Sequence, residues 1–217
     1  MMNFIPIFPL ALVAYPGEAL NLHIFEPRYK QLVRDCMGGN RSFGIPSVVR
    51  EKVGEMGTLM EIAEITKTYD NGEMDIKTRG VKVFRVLEWM PKSEERLYDA
   101  AIVDYPPNEM SGNPVLMRNL LEGLRHLHGM LEIGKKLPEP QEDTLSYEVA
   151  HMAGLNLEQE YELLSLLKES QRQEYLRRHL KRVLPVVAEM ESLKKKARLN
   201  GHFKNLSGFN LDFGKDK

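Results

Sequence analysis

Apolar and polar positions change period once along this chain, and that change divides it. Residues 4–8 are apolar around Pro6, residues 9–14 remain apolar, and Tyr15-Pro16-Gly17 has the composition of a turn. Proline sets the first central φ there, and glycine accepts a positive one. Residues 19–24 then read as a second extended segment. From Glu26 the period becomes helical: Pro27 suits a first helical turn, and Tyr29, Leu32, Val33 and Cys36 form one stripe that ends before Gly38-Gly39. Further strands are expected over residues 41–49, 57–66, 75–89 and 97–103. The fourth and fifth of these six strands flank Asn71-Gly72, a pair suited to both central positions of a type I′ turn.

Pro and Gly over residues 106–114 break both periods and mark a linker. Beyond it Met117, Leu120, Leu121, Leu124, Leu127 and Leu131 keep helical spacing. A short helix is expected at residues 145–153. A third is capped by Asn156 with Gln159 and carries Tyr161, Leu164 and Leu167. Ser170 with Gln173 reads as the cap of the last helix, which should kink or divide near residues 181–183 because Pro185 removes an amide. The fold class is therefore α+β. A small, mostly antiparallel closed sheet occupies residues 1–110, helices occupy 111–200, and residues 201–217 form a tail.

Composition narrows the chemistry. With 42% hydrophobic and 28% charged residues and a formal charge of −1, the chain reads as an ordinary soluble protein and not as a general nucleic-acid binder. Cys36 is the only cysteine, so no intrachain disulfide forms, and its place in the first helical stripe makes it a small core residue. No apolar run reaches the length of a membrane span, so the expectation is a cytoplasmic protein without a membrane partner.

The N-terminal residues resemble a known family. Residues 6–10, Tyr15-Pro16-Gly17, Leu20, Leu22 and the run His23-Ile24-Phe25-Glu26-Pro27-Arg28-Tyr29 are similar to the opening of the Lon N-terminal, substrate-binding domain. Residues 79–86, with Gly80 before an apolar strand, and the leucine-rich pieces within residues 145–184 resemble the same family. The resemblance implies a PUA-like pseudobarrel followed by a helical bundle. It also implies a recognition module for unfolded polypeptide or another protein, with no cofactor. No G-x-x-x-x-G-K-[ST] run occurs to hold ATP phosphates, and a short segment follows Lys196 where the protease relatives continue into ATPase and proteolytic modules. The expectation is a protein that is not an enzyme.

Within the motif, Phe25 and Tyr29 are expected as buried anchors of the first helix. Glu26 and Arg28 are expected to pair at the helix start, with Arg28 bracing a loop, and His23 to be packed or hydrogen-bonded. A hydrolase assembled from His23, Glu26 and Asp35 is set aside, because no nucleophile stands near them in sequence. His126 and His128 are two apart on a helix, so they diverge and belong to its solvated surface. The last helix is basic: residues 171–198 hold nine Lys or Arg against three Glu. Its cluster Lys194, Lys195 and Lys196 supports an alternative reading as an RNA-binding PUA-like protein.

Overall fold

The computed structural model describes residues 3–39, 42–139, 141 and 144–199; the expected tail, residues 201–217, lies outside the described residues. The elements in order are β1 (Asn3–Pro6), β2 (Ala19–Ile24), α1 (Pro27–Met37), β3 (Ser42–Val49), β4 (Lys52–Thr68), β5 (Met74–Met90) and β6 (Ala100–Asp104). Then come α2 (Pro114–Met130), α3 (Ser146–Val149) continuing into a 3-10 turn over Ala150–Met152, α4 (Leu157–Ser165) and α5 (Glu169–Leu199).

All five strand pairings are antiparallel, in the order β1-β6-β5-β4-β3, with β2 added beside β5. Two isolated parallel bridges, Ile7 with Gly44 and Leu10 with Ser47, join the chain after β1 to β3 at the opposite end of that order. The sheet curls because β4 and β5, each 17 residues long, carry three register shifts between them. Gly80 sits at one of these, where an added Cβ would collide with the Tyr15 carbonyl. The turn at Tyr15-Pro16-Gly17 rests directly on β5 for that reason: the Gly17 amide donates to the Gly80 carbonyl at 2.8 Å, and the Gly80 amide donates to the Glu18 carbonyl at 2.8 Å.

Two turns differ from their sequence readings. Only Gly72 has a positive φ (76°) in the β4–β5 loop, while the Tyr69 amide bonds the Glu73 carbonyl and the Gly72 amide bonds the Tyr69 carbonyl. The loop is therefore three residues, 70–72, closed by a left-handed glycine, and not a two-residue type I′ turn. The I′-like turn is instead at Arg50-Glu51, with φ of 49° and 63°, and it starts β4 five residues earlier than the apolar pattern does. Neither residue is a turn former, so the β3–β4 pairing must impose that conformation.

Helix caps were legible where side-chain chemistry dominates. The Asn156 side chain accepts from the Gln159 amide at 2.9 Å, and the Gln159 side chain accepts from the Asn156 amide at 3.0 Å, closing the capping box of α4. The expected cap at Ser170 is not one. The helix α5 begins at Glu169, and the Gln173 side chain accepts instead from the Asn113 amide at 2.8 Å, ahead of α2. Nor is α5 divided at Pro185. Lys181, whose carbonyl loses its partner there, is exposed, so water can take the place of the missing amide.

The core has three parts. One lies under α1, one fills the sheet interior around Phe84, and the largest joins Met56 and Val83 of the sheet, with Val13 and Tyr15 of the segment between β1 and β2, to leucines of α2, α4 and α5. The helices thus complete the burial of one sheet end. The linker before α2 is tied down as well: the Glu109 amide donates to the Leu167 carbonyl, and the Glu169 amide to the Glu109 carbonyl, both at 2.8 Å.

Candidate functional site

The N-terminal motif resolves into an inward and an outward set. β2 alternates, turning Ile24 into the core and leaving His23 and Phe25 outside, with Phe25 58% exposed. Phe25 is therefore not the buried anchor that its apolar character suggested, because strand alternation rather than hydrophobicity decides its side. Tyr29 is the anchor, 6% exposed and stacked on Phe8 at 3.7 Å between ring centroids. Glu26 takes the N-cap position with an extended backbone, and Pro27 opens α1. The Arg28 Nε donates to Glu26 Oε2 at 2.8 Å, and the guanidinium lies 4.5 Å from the Tyr29 ring centroid. That pair faces solvent, with both side chains more than a third exposed, so it contributes little by itself.

His23 is hydrogen-bonded as expected, at the sheet surface. Its Nδ1 lies 2.6 Å from Asp75 Oδ1 and its Nε2 lies 3.3 Å from Glu73 Oε2, while the Tyr69 hydroxyl donates to Asp75 Oδ2 at 2.8 Å. The hydrogen bond with Asp75 raises the imidazole above its ordinary pKa. Glu26 and Asp35 are committed elsewhere, to Arg28 and to the Tyr98 hydroxyl, so the three form no catalytic constellation. Burial pushes the Cys36 thiol up to about 12, consistent with a core residue. His128 is buried, contrary to the solvated reading, and its Nε2 lies 2.8 Å from the Met152 carbonyl oxygen; His126 is exposed. Among the described residues no group of three or more His, Cys, Asp or Glu is placed to hold a metal ion.

The main cleft lies where the sheet meets the helices. It encloses about 650 Å³ between the Pro16-Gly17-Glu18 turn with Arg79 on one wall and Lys135, Tyr147, Glu148, His151 and Met152 on the other. Tyr147 of the helical wall stacks on the buried Tyr15 at 5.1 Å, and the Tyr15 hydroxyl donates to the Glu160 carbonyl at 3.1 Å. His151 bridges the walls, with Nδ1 2.7 Å from Glu160 Oε1 and Nε2 3.2 Å from Glu18 Oε2. Those hydrogen bonds, to Glu160 first, raise the imidazole to about 9.

A pH dependence follows from that value. The folded pKa lies above the unfolded value of 6.5, so the stabilisation is complete below pH 6.5 and is lost as pH rises towards 9. Melting temperature should fall over that window in the native protein, and H151Q should remove this part of the fall. An imidazole titrating near 6.5 in the folded state, read by NMR, would contradict the bridge.

Behind the cleft stands a buried ion pair that sequence reasoning missed. Arg172 and Glu169 are fully buried, with Arg172 Nε donating to Glu169 Oε2 at 2.9 Å. Nη1 donates to Asn108 Oδ1 at 2.8 Å, the Tyr147 hydroxyl at 3.1 Å and the Leu166 carbonyl at 2.7 Å, and Nη2 to the Glu109 carbonyl at 3.2 Å. Glu169 Oε1 accepts from the Ser146 amide and hydroxyl at 2.8 and 2.6 Å. One guanidinium therefore joins the linker, the α3 start and α5, and it lies 4.1 Å from the centroid of the Tyr147 ring in the cleft. The expected basic cluster is remote in kind. Lys194, Lys195 and Lys196 are exposed on α5, Lys194 is paired with Glu191 at 2.6 Å, and successive helical positions turn by about 100° so that the three do not share a face.

Comparison with known proteins places this architecture. The Lon N-terminal domain protein from Xanthomonas campestris, seen by crystallography, matches with a TM-score of 0.61 at 24% identity, covering 80% of this chain and 96% of that one. The N-terminal domain of the Mycobacterium avium complex Lon protease matches with a TM-score of 0.61 at 12% identity, covering 82% and 98%. In sequence, protein cereblon of Gallus gallus is 30% identical over 95 residues, which are 42% of this chain and span about a fifth (21%) of cereblon. The family model described as the ATP-dependent protease La (LON) substrate-binding domain matches residues 5–182, from β1 through most of the helical part. By that extent of match, the chain belongs to the Lon substrate-binding domain family.

Proposed function

We propose that this protein is a non-catalytic recognition module that binds exposed apolar segments of other polypeptides. The observation that carries the reading is the family match over residues 5–182, which includes both the sheet and the helices that form the cleft. Two surfaces support it. β2 pairs with β5 on one side only among the described residues, leaving an edge to which an extended segment can add. The cleft beside the β2 start offers Tyr147 and Met152 as apolar contacts among charged groups.

Two finer points belong to the same proposal. The sheet is read as a PUA-like pseudobarrel, and the parallel bridges at Ile7–Gly44 and Leu10–Ser47 support closure. The boundary near residue 110 is read as a change of architecture within one cooperative unit, because Arg172 and the Glu109 backbone bonds cross it.

The competing ligand is RNA, and salt separates the two. Labelled unfolded protein and labelled RNA are titrated at low and at physiological ionic strength. Polypeptide binding should change little with salt, since apolar burial drives it, whereas affinity carried by several phosphate contacts falls steeply. Tight, salt-sensitive RNA binding without polypeptide binding would overturn the proposal. Charge reversal at Lys194, Lys195 and Lys196 should leave polypeptide affinity within about twofold of the native value.

A further inference from the structure

Resting on the recognition reading, the geometry points to a carboxylate subsite in the cleft: we propose that Arg79 and Lys135 hold a carboxylate of the bound polypeptide beside Tyr147 and Met152. Most polar side chains of the cleft have a hydrogen-bond partner within the protein. Glu18 Oε2 accepts from the Tyr15 amide at 2.8 Å and faces His151, and Glu148 Oε1 accepts from the Leu145 amide at 3.0 Å. Both ring nitrogens of His151 are taken by Glu160 and Glu18, and the Tyr147 hydroxyl already bonds Arg172.

Arg79 and Lys135 are the exceptions. They stand on opposite walls, one on β5 and one in the segment after α2, and neither side chain makes a hydrogen bond or ion pair among the described residues. Glu61, the cross-strand neighbour of Arg79 on β4, forms no ion pair with it. The unused hydrogen-bonding capacity of these side chains is therefore all donor and all cationic, which suits an anionic acceptor entering next to apolar surface. On a polypeptide that acceptor is a carboxylate, either of an Asp or Glu side chain or of the chain terminus. Glu18 and Glu148 each accept from a backbone amide, and neither forms an ion pair with Arg79 or Lys135 among the described residues.

The test uses the full chain and fluorescence anisotropy with short labelled peptides of one apolar sequence in three forms. One has a free C-terminal carboxylate and no acidic side chain, one is amidated, and one is amidated with a single internal glutamate. At least one carboxylate form should bind about tenfold more tightly than the acid-free amidated form. R79A and K135A should each remove most of that advantage, and R85A, an exposed cation of β5 outside the cleft, should preserve it. Which form gains tells a terminal carboxylate from a side-chain one. Equal binding of all three peptides, or an advantage that survives in both R79A and K135A, overturns the subsite and leaves polypeptide recognition standing. Failure of every peptide and of unfolded protein to bind refutes the recognition reading and the subsite with it. Both side chains are exposed, and a native-like thermal melt of each variant keeps a loss of binding from being a loss of fold.

Discussion

Replacing Arg172 with methionine is expected to lower the stability of the protein by about 3–5 kcal/mol, the usual result of removing one member of a fully buried ion pair. Methionine keeps much of the side-chain volume, so the loss is not chiefly a cavity. It comes from Glu169, left charged and 0% exposed with only the Ser146 amide and hydroxyl as donors, and from the Leu166 and Glu109 carbonyls that lose their guanidinium. Replacing both members, as in R172M with E169L, should recover part of the loss because no buried charge then remains. Urea unfolding at neutral pH reads both variants. A single-variant loss below about 1 kcal/mol would mean that water reaches the pair, and that the guanidinium does not join the linker to α5.

Tyr29 and Phe25 should separate by a similar margin. Y29A removes a ring that is 6% exposed and stacked on Phe8 within the core under α1, and an aromatic-to-alanine truncation there costs about 3–5 kcal/mol. F25A removes a ring that is 58% exposed, whose aromatic neighbour is His23 at 6.2 Å, and should stay within about 0.5 kcal/mol of the native protein. Equal losses would show that Phe25 is packed after all. The contrast bears on the proposed recognition, because Phe25 stays on the surface next to β2, whose outer side is unpaired among the described residues.

These two cases mark what the chain discloses by pattern. Helix α1, its stripe, Pro27 at its first turn and the capping box of α4 were legible because each rests on side chains within one or two turns of one another. The β2 boundaries were legible from the turn before the strand and its alternation, and the family motif placed the antiparallel sheet before the helices. The Arg50-Glu51 turn was not, since strand pairing forces it on residues without turn preference. Phe25 was misplaced because apolar character outvoted alternation at a strand end.

The candidate site was less legible than the fold. Its residues come from positions 16–18, 79, 135 and 145–152, which only the packing of helices on the sheet brings together. Arg172 offered one signal, a Glu169 three residues earlier, but the same spacing is common on solvated helix faces and carries no mark of burial. Ser170 with Gln173 matched a capping box by sequence, and the tertiary contact of Gln173 with Asn113 took precedence. The basic run at Lys194, Lys195 and Lys196 stood out in the sequence yet lies outside the cleft.

Recognition of polypeptide through the sheet–helix junction is tested most directly by amide hydrogen exchange on the full chain with and without a saturating unfolded protein. The account predicts slowed exchange at the amides of β2, which follows the 16–18 turn of the cleft, and of residues 145–152 on the opposite wall, with little change at the exposed end of α5. Unchanged exchange at β2 and residues 145–152 under saturating ligand, or protection confined to the end of α5 around Lys194, Lys195 and Lys196, would contradict it.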